Sequence, residues 1–218
     1  GSPLSQSGLI AKSQREFSDK FGAKGCFFGV NGASGLIQSA VIAMANPGEN
    51  ILMPRNVHIS VIKICAMQNI NPIFFDLEFS TITGHYKPIT KIWLENVFKK
   101  LNFDENKIAG VILVNPSYHG YAGDLEPLID CCHQKNLPVL VDEAHGSYFL
   151  FCENLNLPKP ALSSNADLVV NSLHKSLNGL TQTAVLWYKG NLINEGNLIK
   201  SINLLQTTSP SSLLLSSC

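Results

Sequence analysis

The chain has 218 residues, 16 Lys and Arg balanced by 16 Asp and Glu, 45% hydrophobic residues and 15% charged ones. That is enough apolar material for a sizeable core and excludes a disordered chain. The neutral balance argues against the basic face that a non-specific nucleic-acid binder needs. Every long apolar run is broken by Lys, Asn, Asp or Pro, so none reaches the length of a membrane span.

Six cysteines, at Cys26, Cys65, Cys131, Cys132, Cys152 and Cys218, form no C-x-x-C pair. They read as buried or free thiols of a reducing cytoplasm, which is the expected location. Gly1–Ser7 has neither the basic start nor the apolar stretch of a signal peptide.

In chain order, apolar periodicity predicts a helix over Ile10–Phe21, with Ser7 as its N-cap and Gly22 as its stop. A strand follows at Gly25–Val30, then a helix at Gly32–Ala45 that ends at Asn46-Pro47-Gly48. Asn50–Met53 is a strand, His58–Gln68 a helix and Asn71–Phe75 a strand; Asp76–Pro88 is polar and turn-rich. Ile92–Leu101 is helical, Gly110–Val114 is a strand ending at Asn115-Pro116, and Asp124–Lys135 is helical. Pro138–Val141, Leu168–Asn171 and Thr183–Trp187 are strands, and Asn191–Leu205 is a helix. Short apolar strands alternating with helices predict βαβ units around a sheet buried on both faces. In such sheets ligands bind beyond the carboxyl ends of the strands, so the residues that follow strands are the candidates for chemistry.

Four groups follow strands. Asn31-Gly32-Ala33-Ser34-Gly35 opens a helix, whose free N–H groups and partial positive charge suit a phosphate. Asp142-Glu143-Ala144-His145-Gly146 puts a carboxylate at a strand end. The same letters spell a Walker B box, but the chain has no Gly-Lys dipeptide and so no phosphate loop to accompany it. His145 also lacks the His partner three or four residues away that a helical metal site needs. Ser172-Leu173-His174-Lys175 places a Lys directly after a buried strand, where partial burial is expected to make its amine a nucleophile for a carbonyl. His58, in Arg55-Asn56-Val57-His58, reads alone as a cap or a surface residue. Together, a phosphate cradle, a carboxylate, an amine nucleophile and an aromatic His are what pyridoxal phosphate requires: Lys for its aldehyde, Asp for its pyridine nitrogen.

The segment Val170-Asn171-Ser172-Leu173-His174-Lys175-Ser176-Leu177-Asn178-Gly179-Leu180-Thr181-Gln182-Thr183-Ala184 resembles the cofactor-attachment signature of the ornithine/lysine/arginine decarboxylases. These are fold-type I pyridoxal-phosphate enzymes, and the resemblance runs from Ser7 to Pro210. It implies a three-layer α/β sandwich with a mostly parallel seven-stranded sheet. It also implies decarboxylation of arginine, lysine or ornithine to the amine. By the same resemblance Lys175 binds the cofactor aldehyde, Asp142 pairs with the pyridine nitrogen and His58 stacks on the ring. Ala33, Ser34, Ser172 and His174 hold the phosphate, Ala144 packs under the ring and His145 lies beside it. Thr208 or Ser209 resembles a segment reaching the phosphate of a neighbouring subunit, which implies a homodimer or higher homo-oligomer with shared sites. The family pattern has Thr where this chain has Ala33. No counterpart of the family's small C-terminal domain is visible, so residues 1–218 read as a major domain cut from a longer chain. The competing expectations are another fold-type I activity, such as an aminotransferase, and a truncated protein that keeps the fold without the catalysis.

Overall fold

The computed structural model describes residues 7–101, 107–151 and 156–218. Cys152 lies outside them. The first helix, α1 (Leu9–Phe21), begins one residue earlier than its apolar pattern suggested. Gly8, not Ser7, is its N-cap, and Gly22 closes it in the left-handed conformation, as a glycine stop should. Then come β1 (Gly25–Gly29), α2 (Gly32–Met44), β2 (Asn50–Pro54), α3 (Ile59–Gln68) and β3 (Asn71–Phe75).

The polar stretch after β3 is not all turn. It contains a small antiparallel pair, β4 (Phe79–Ser80) and β5 (His85–Tyr86), too short to leave an alternating pattern in the sequence. Next are α4 (Lys91–Lys100), β6 (Ile108–Val114), α5 (Glu126–His133) and β7 (Val139–Asp142). A 3-10 helix at Ser147–Phe151, unforeseen from periodicity, precedes β8 (Leu168–Ser172). Lys175 sits on the single-turn helix α6 (Leu173–Ser176) that follows β8. The chain continues through β9 (Ala184–Tyr188), α7 (Glu195–Leu205) and α8 (Ser212–Ser216). Helix α7 starts four residues later than expected because Asn194 caps it, accepting the Asn197 N–H at 3.0 Å.

Seven strands form one sheet in the order β1-β9-β8-β7-β6-β2-β3. Pairs β2–β3, β2–β6, β6–β7 and β7–β8 are parallel; β9 alone runs against its neighbours β1 and β8. Alternation along the strands divides the core into two layers. Leu52, Val111, Leu113, Val139, Val141, Val169 and Trp187 face one side with Leu94 of α4 and Ile129 of α5. Ile51, Met53, Ile112, Leu140, Leu168, Val170 and Leu186 face the other with Leu36 of α2, Ile64 of α3 and Leu198 of α7. Both faces are therefore buried, which explains why these strands read as near-continuous apolar runs. The expected three-layer α/β sandwich with a mostly parallel seven-stranded sheet is the fold observed. Its consequence for function is directional: β1, β2, β6, β7 and β8 all end on the same edge, and the residues following them converge there.

Candidate functional site

A solvent-connected cavity of about 350 Å³ opens at that edge. Helix α2 contributes Ala33 and Ser34, and the turn before α3 contributes His58. Asp142, Ala144 and His145 come from the end of β7, and Lys175 from α6. Residues from four separate stretches of sequence thus meet in one space of the size that holds a small cofactor. A wider depression of about 550 Å³ between β3 and α4 holds Asp76, Lys99 and Lys100, but gathers no comparable set among the described residues.

Asp142 forms the floor. It is 7% exposed, and its Oδ1 accepts the Ala144 N–H at 3.1 Å. Burial raises its carboxyl pKa; the Ala144 hydrogen bond and the nearby Lys175 and His58 oppose that shift. At the mouth, Lys175 Nζ lies 3.1 Å from His145 Nε2. Burial first, then Lys175 and His58, lower the pKa of His145, so the neutral ring accepts from the ammonium through Nε2 and carries its own proton on Nδ1. Lys175 is exposed to this cavity, a correction to the partly buried amine expected from its place after a strand.

His58 is both things that the sequence left open. It is the N-cap of α3, its Nδ1 accepting the Ser60 N–H at 3.2 Å, and its ring lines the cavity. The cap fixes Nδ1 as acceptor and leaves the proton on Nε2. At the start of α2, Gly32 has φ +76° and donates its N–H to Gln182 O at 2.9 Å, which ties the cradle to the segment after Lys175. The remaining first-turn N–H groups, at Ala33 and Ser34, have no acceptor within the helix and suit an anion.

The remaining expected residues lie outside the cavity lining. Ser172 is fully buried, its Oγ 3.2 Å from His174 Nδ1, and that nitrogen is 3.3 Å from Thr183 O. Thr208 and Ser209 are exposed on the segment after α7. Sequence reasoning missed two residues. Tyr118 lines the cavity with its ring edge-to-face with His145, centroids 5.4 Å apart. It follows β6 by four residues, so the strand-end rule contained the signal. Glu143 was passed over between Asp142 and Ala144. It is completely buried, with Oε1 accepting Ala161 N–H at 2.8 Å and Oε2 accepting Asn171 Nδ2–H at 3.0 Å. Asn171 Oδ1 in turn accepts Trp187 Nε1–H at 2.8 Å. Burial pushes the Glu143 carboxyl up to about 8, against those two hydrogen bonds.

The whole chain, residues 1–218, matches the family described as Orn/Lys/Arg decarboxylase, major domain. The chain belongs to this family. Among curated relatives it is 37% identical over 210 residues to an arginine decarboxylase of Bacillus cereus, which covers 96% of this chain and 44% of that protein. It is 36% identical to an arginine decarboxylase of Bacillus subtilis, over 96% of this chain and 42% of that one. The chain thus spans less than half the length of these decarboxylase relatives. The constitutive lysine decarboxylase of E. coli superposes with a TM-score of 0.83 at 21% identity, over 100% of this chain and 31% of that one; this likeness speaks for the shared fold.

Proposed function

We propose that the chain is the cofactor-binding domain of a pyridoxal-phosphate-dependent decarboxylase acting on a basic amino acid, arginine first, with its amine and CO2 as products. The observation that carries this reading is the single cavity that gathers Lys175, Asp142, His58 and the start of α2. The arginine decarboxylase names of the relatives favour arginine among the basic amino acids.

The residues fit the cofactor. The first turn of α2 takes the phosphate through backbone N–H groups and the Ser34 hydroxyl; Ala33, where the family pattern has Thr, contributes its N–H alone. Asp142, buried with one N–H donor from Ala144, offers an acceptor to the pyridine nitrogen and gains a cationic partner in return. His58, held by its cap bond, lays a ring against the cofactor face. When bound, the group supplies an aldehyde for amines and a protonated ring that draws off the electron pair of a breaking bond at Cα. Lys175 would hold the group by its aldehyde at the mouth of the cavity, within reach of a substrate amine. His145, neutral and 3.1 Å from Lys175 Nζ, accepts a hydrogen bond from the lysine and so holds it at the mouth of the cavity. Asp142 keeps the pyridine nitrogen protonated throughout.

The two longer-range expectations belong to the same reading. Thr208 and Ser209, exposed and outside this cavity, would serve a neighbouring subunit if the protein is a homodimer. The free thiols at Cys26, Cys65, Cys131, Cys132 and Cys218 fit a cytoplasmic enzyme that feeds polyamine synthesis. The test is product analysis of the full natural chain loaded with pyridoxal phosphate. Arginine labelled at its carboxyl carbon should release labelled CO2 and leave agmatine. A keto acid in place of CO2 would replace this reading with an aminotransferase. Neither product would leave a protein that keeps the fold without the catalysis.

A further inference from the structure

We propose that Tyr118 is a specificity-determining residue, its ring receiving the cationic end of the substrate side chain, guanidinium or ammonium. This rests on the basic-amino-acid reading above and names the group that selects the charge.

A basic substrate carries a second positive charge at the far end of its side chain, and that charge needs a partner. Among the described residues lining the cavity, the only carboxylate is Asp142, which lies on the floor with Lys175 and His58 acting on it. Lys175, beside that floor, repels a second cation from it. At the mouth the partner available is an aromatic ring: Tyr118 is 79% exposed and lines the cavity. Cations are attracted to the face of such a ring, and the attraction grows as water is displaced.

The ring is held in place. It meets His145 edge-to-face at 76° and His119 edge-to-face at 88°, with centroids 5.4 and 5.5 Å away. His119 lies tilted against His85 of β5, centroids 4.3 Å apart, and His85 lies 5.6 Å from Tyr121. This run of rings joins the β4–β5 pair to the loop after β6 and orients Tyr118 without covering it. It also gives a use to the small antiparallel pair, which no other part of the mechanism needs.

The test is calorimetric binding to the full natural chain loaded with pyridoxal phosphate. The probes are agmatine, with its guanidinium, and its neutral ureido analogue. Tyr118→Phe keeps the ring and should bind agmatine as the wild type does. Tyr118→Leu keeps apolar bulk without the ring and should weaken agmatine about fivefold, the scale of one partly desolvated cation–ring contact, while leaving the ureido analogue unchanged. Equal loss of both probes in Tyr118→Leu, loss of neither, or a wild type that does not prefer the guanidinium would overturn the assignment. A wild type that shows the predicted pattern but releases no CO2 from arginine would break the functional reading and leave this assignment standing.

Discussion

The floor and the rim of the cavity are built on different principles. The floor is stitched by buried hydrogen bonds: Trp187 to Asn171, Asn171 to Glu143, Ala161 to Glu143, and Ser147 Oγ to Ser172 O at 2.9 Å. These bonds lock the turn that carries Asp142 and His145 onto β8, the strand that leads to Lys175. The rim is made of ring contacts among Tyr118, His119, His85 and Tyr121, with most of Tyr118 in solvent. A buried hydrogen bond is costly to break and fixes geometry. Ring contacts are weaker and tolerate adjustment. On the proposed reading, the chemistry sits on the rigid part and contact with substrate on the adjustable part.

Several substitutions probe this contrast. The largest effect is expected at Lys175: Lys175→Ala should abolish turnover and leave the fold intact by circular dichroism, since its side chain is exposed. Asp142→Asn, which cannot keep the pyridine nitrogen protonated, should lower kcat by about 10²-fold or more, the scale of losing an aimed electrostatic partner. Retention of near-normal kcat in steady-state assays would remove Asp142 from the mechanism.

In the floor itself, Glu143→Ala strips two buried N–H donors of their acceptor and should cost about 3 kcal/mol in urea unfolding. A loss within a few tenths would mean that the network does not hold the floor. Gly146→Ala tests where floor meets rim, because its Cβ would come within 2.6 Å of Pro116 Cδ and 2.9 Å of Glu143 Cγ. It should cost about 1–3 kcal/mol by overpacking, also read by urea unfolding.

A further test is a pH slope. The Glu143 carboxyl is raised from 4.5 to about 8, so above pH 4.5 the folded chain holds a proton that the unfolded chain releases. That contribution to stability is full below pH 4.5 and is lost as pH rises through 8. Unfolding free energy should therefore fall between pH 5 and 8. Glu143→Gln, whatever its own offset, should remove this part of the slope. An unchanged slope in the variant would assign the titration to another group.

The fold was legible because its signals are local. Strands buried on both faces produce apolar runs, and Gly22, Asn31 and Asn46-Pro47-Gly48 mark helix boundaries. The β4–β5 pair and the 3-10 helix were not legible, since two-residue strands and a single tight turn have no period to detect. Within the site, the strand-end rule placed Lys175, Asp142, His58, Ala33 and Ser34 in one cavity. It misjudged the burial of Lys175 because exposure is set by how α6 leaves the strand, which sequence does not encode locally. It missed Glu143 because that residue acts through Ala161 and Asn171, 18 and 28 residues away. Tyr118 was within its reach, and its importance appears only when β5 and the β7 turn are brought beside it.

The most direct test of the account is where the cofactor attaches. The full natural chain would be loaded with pyridoxal phosphate, reduced with borohydride, digested and mapped by mass spectrometry. The account predicts one phosphopyridoxyl group, on the peptide containing Lys175, and none on Lys175→Ala. A group bound elsewhere, or no group on wild-type protein, would contradict it.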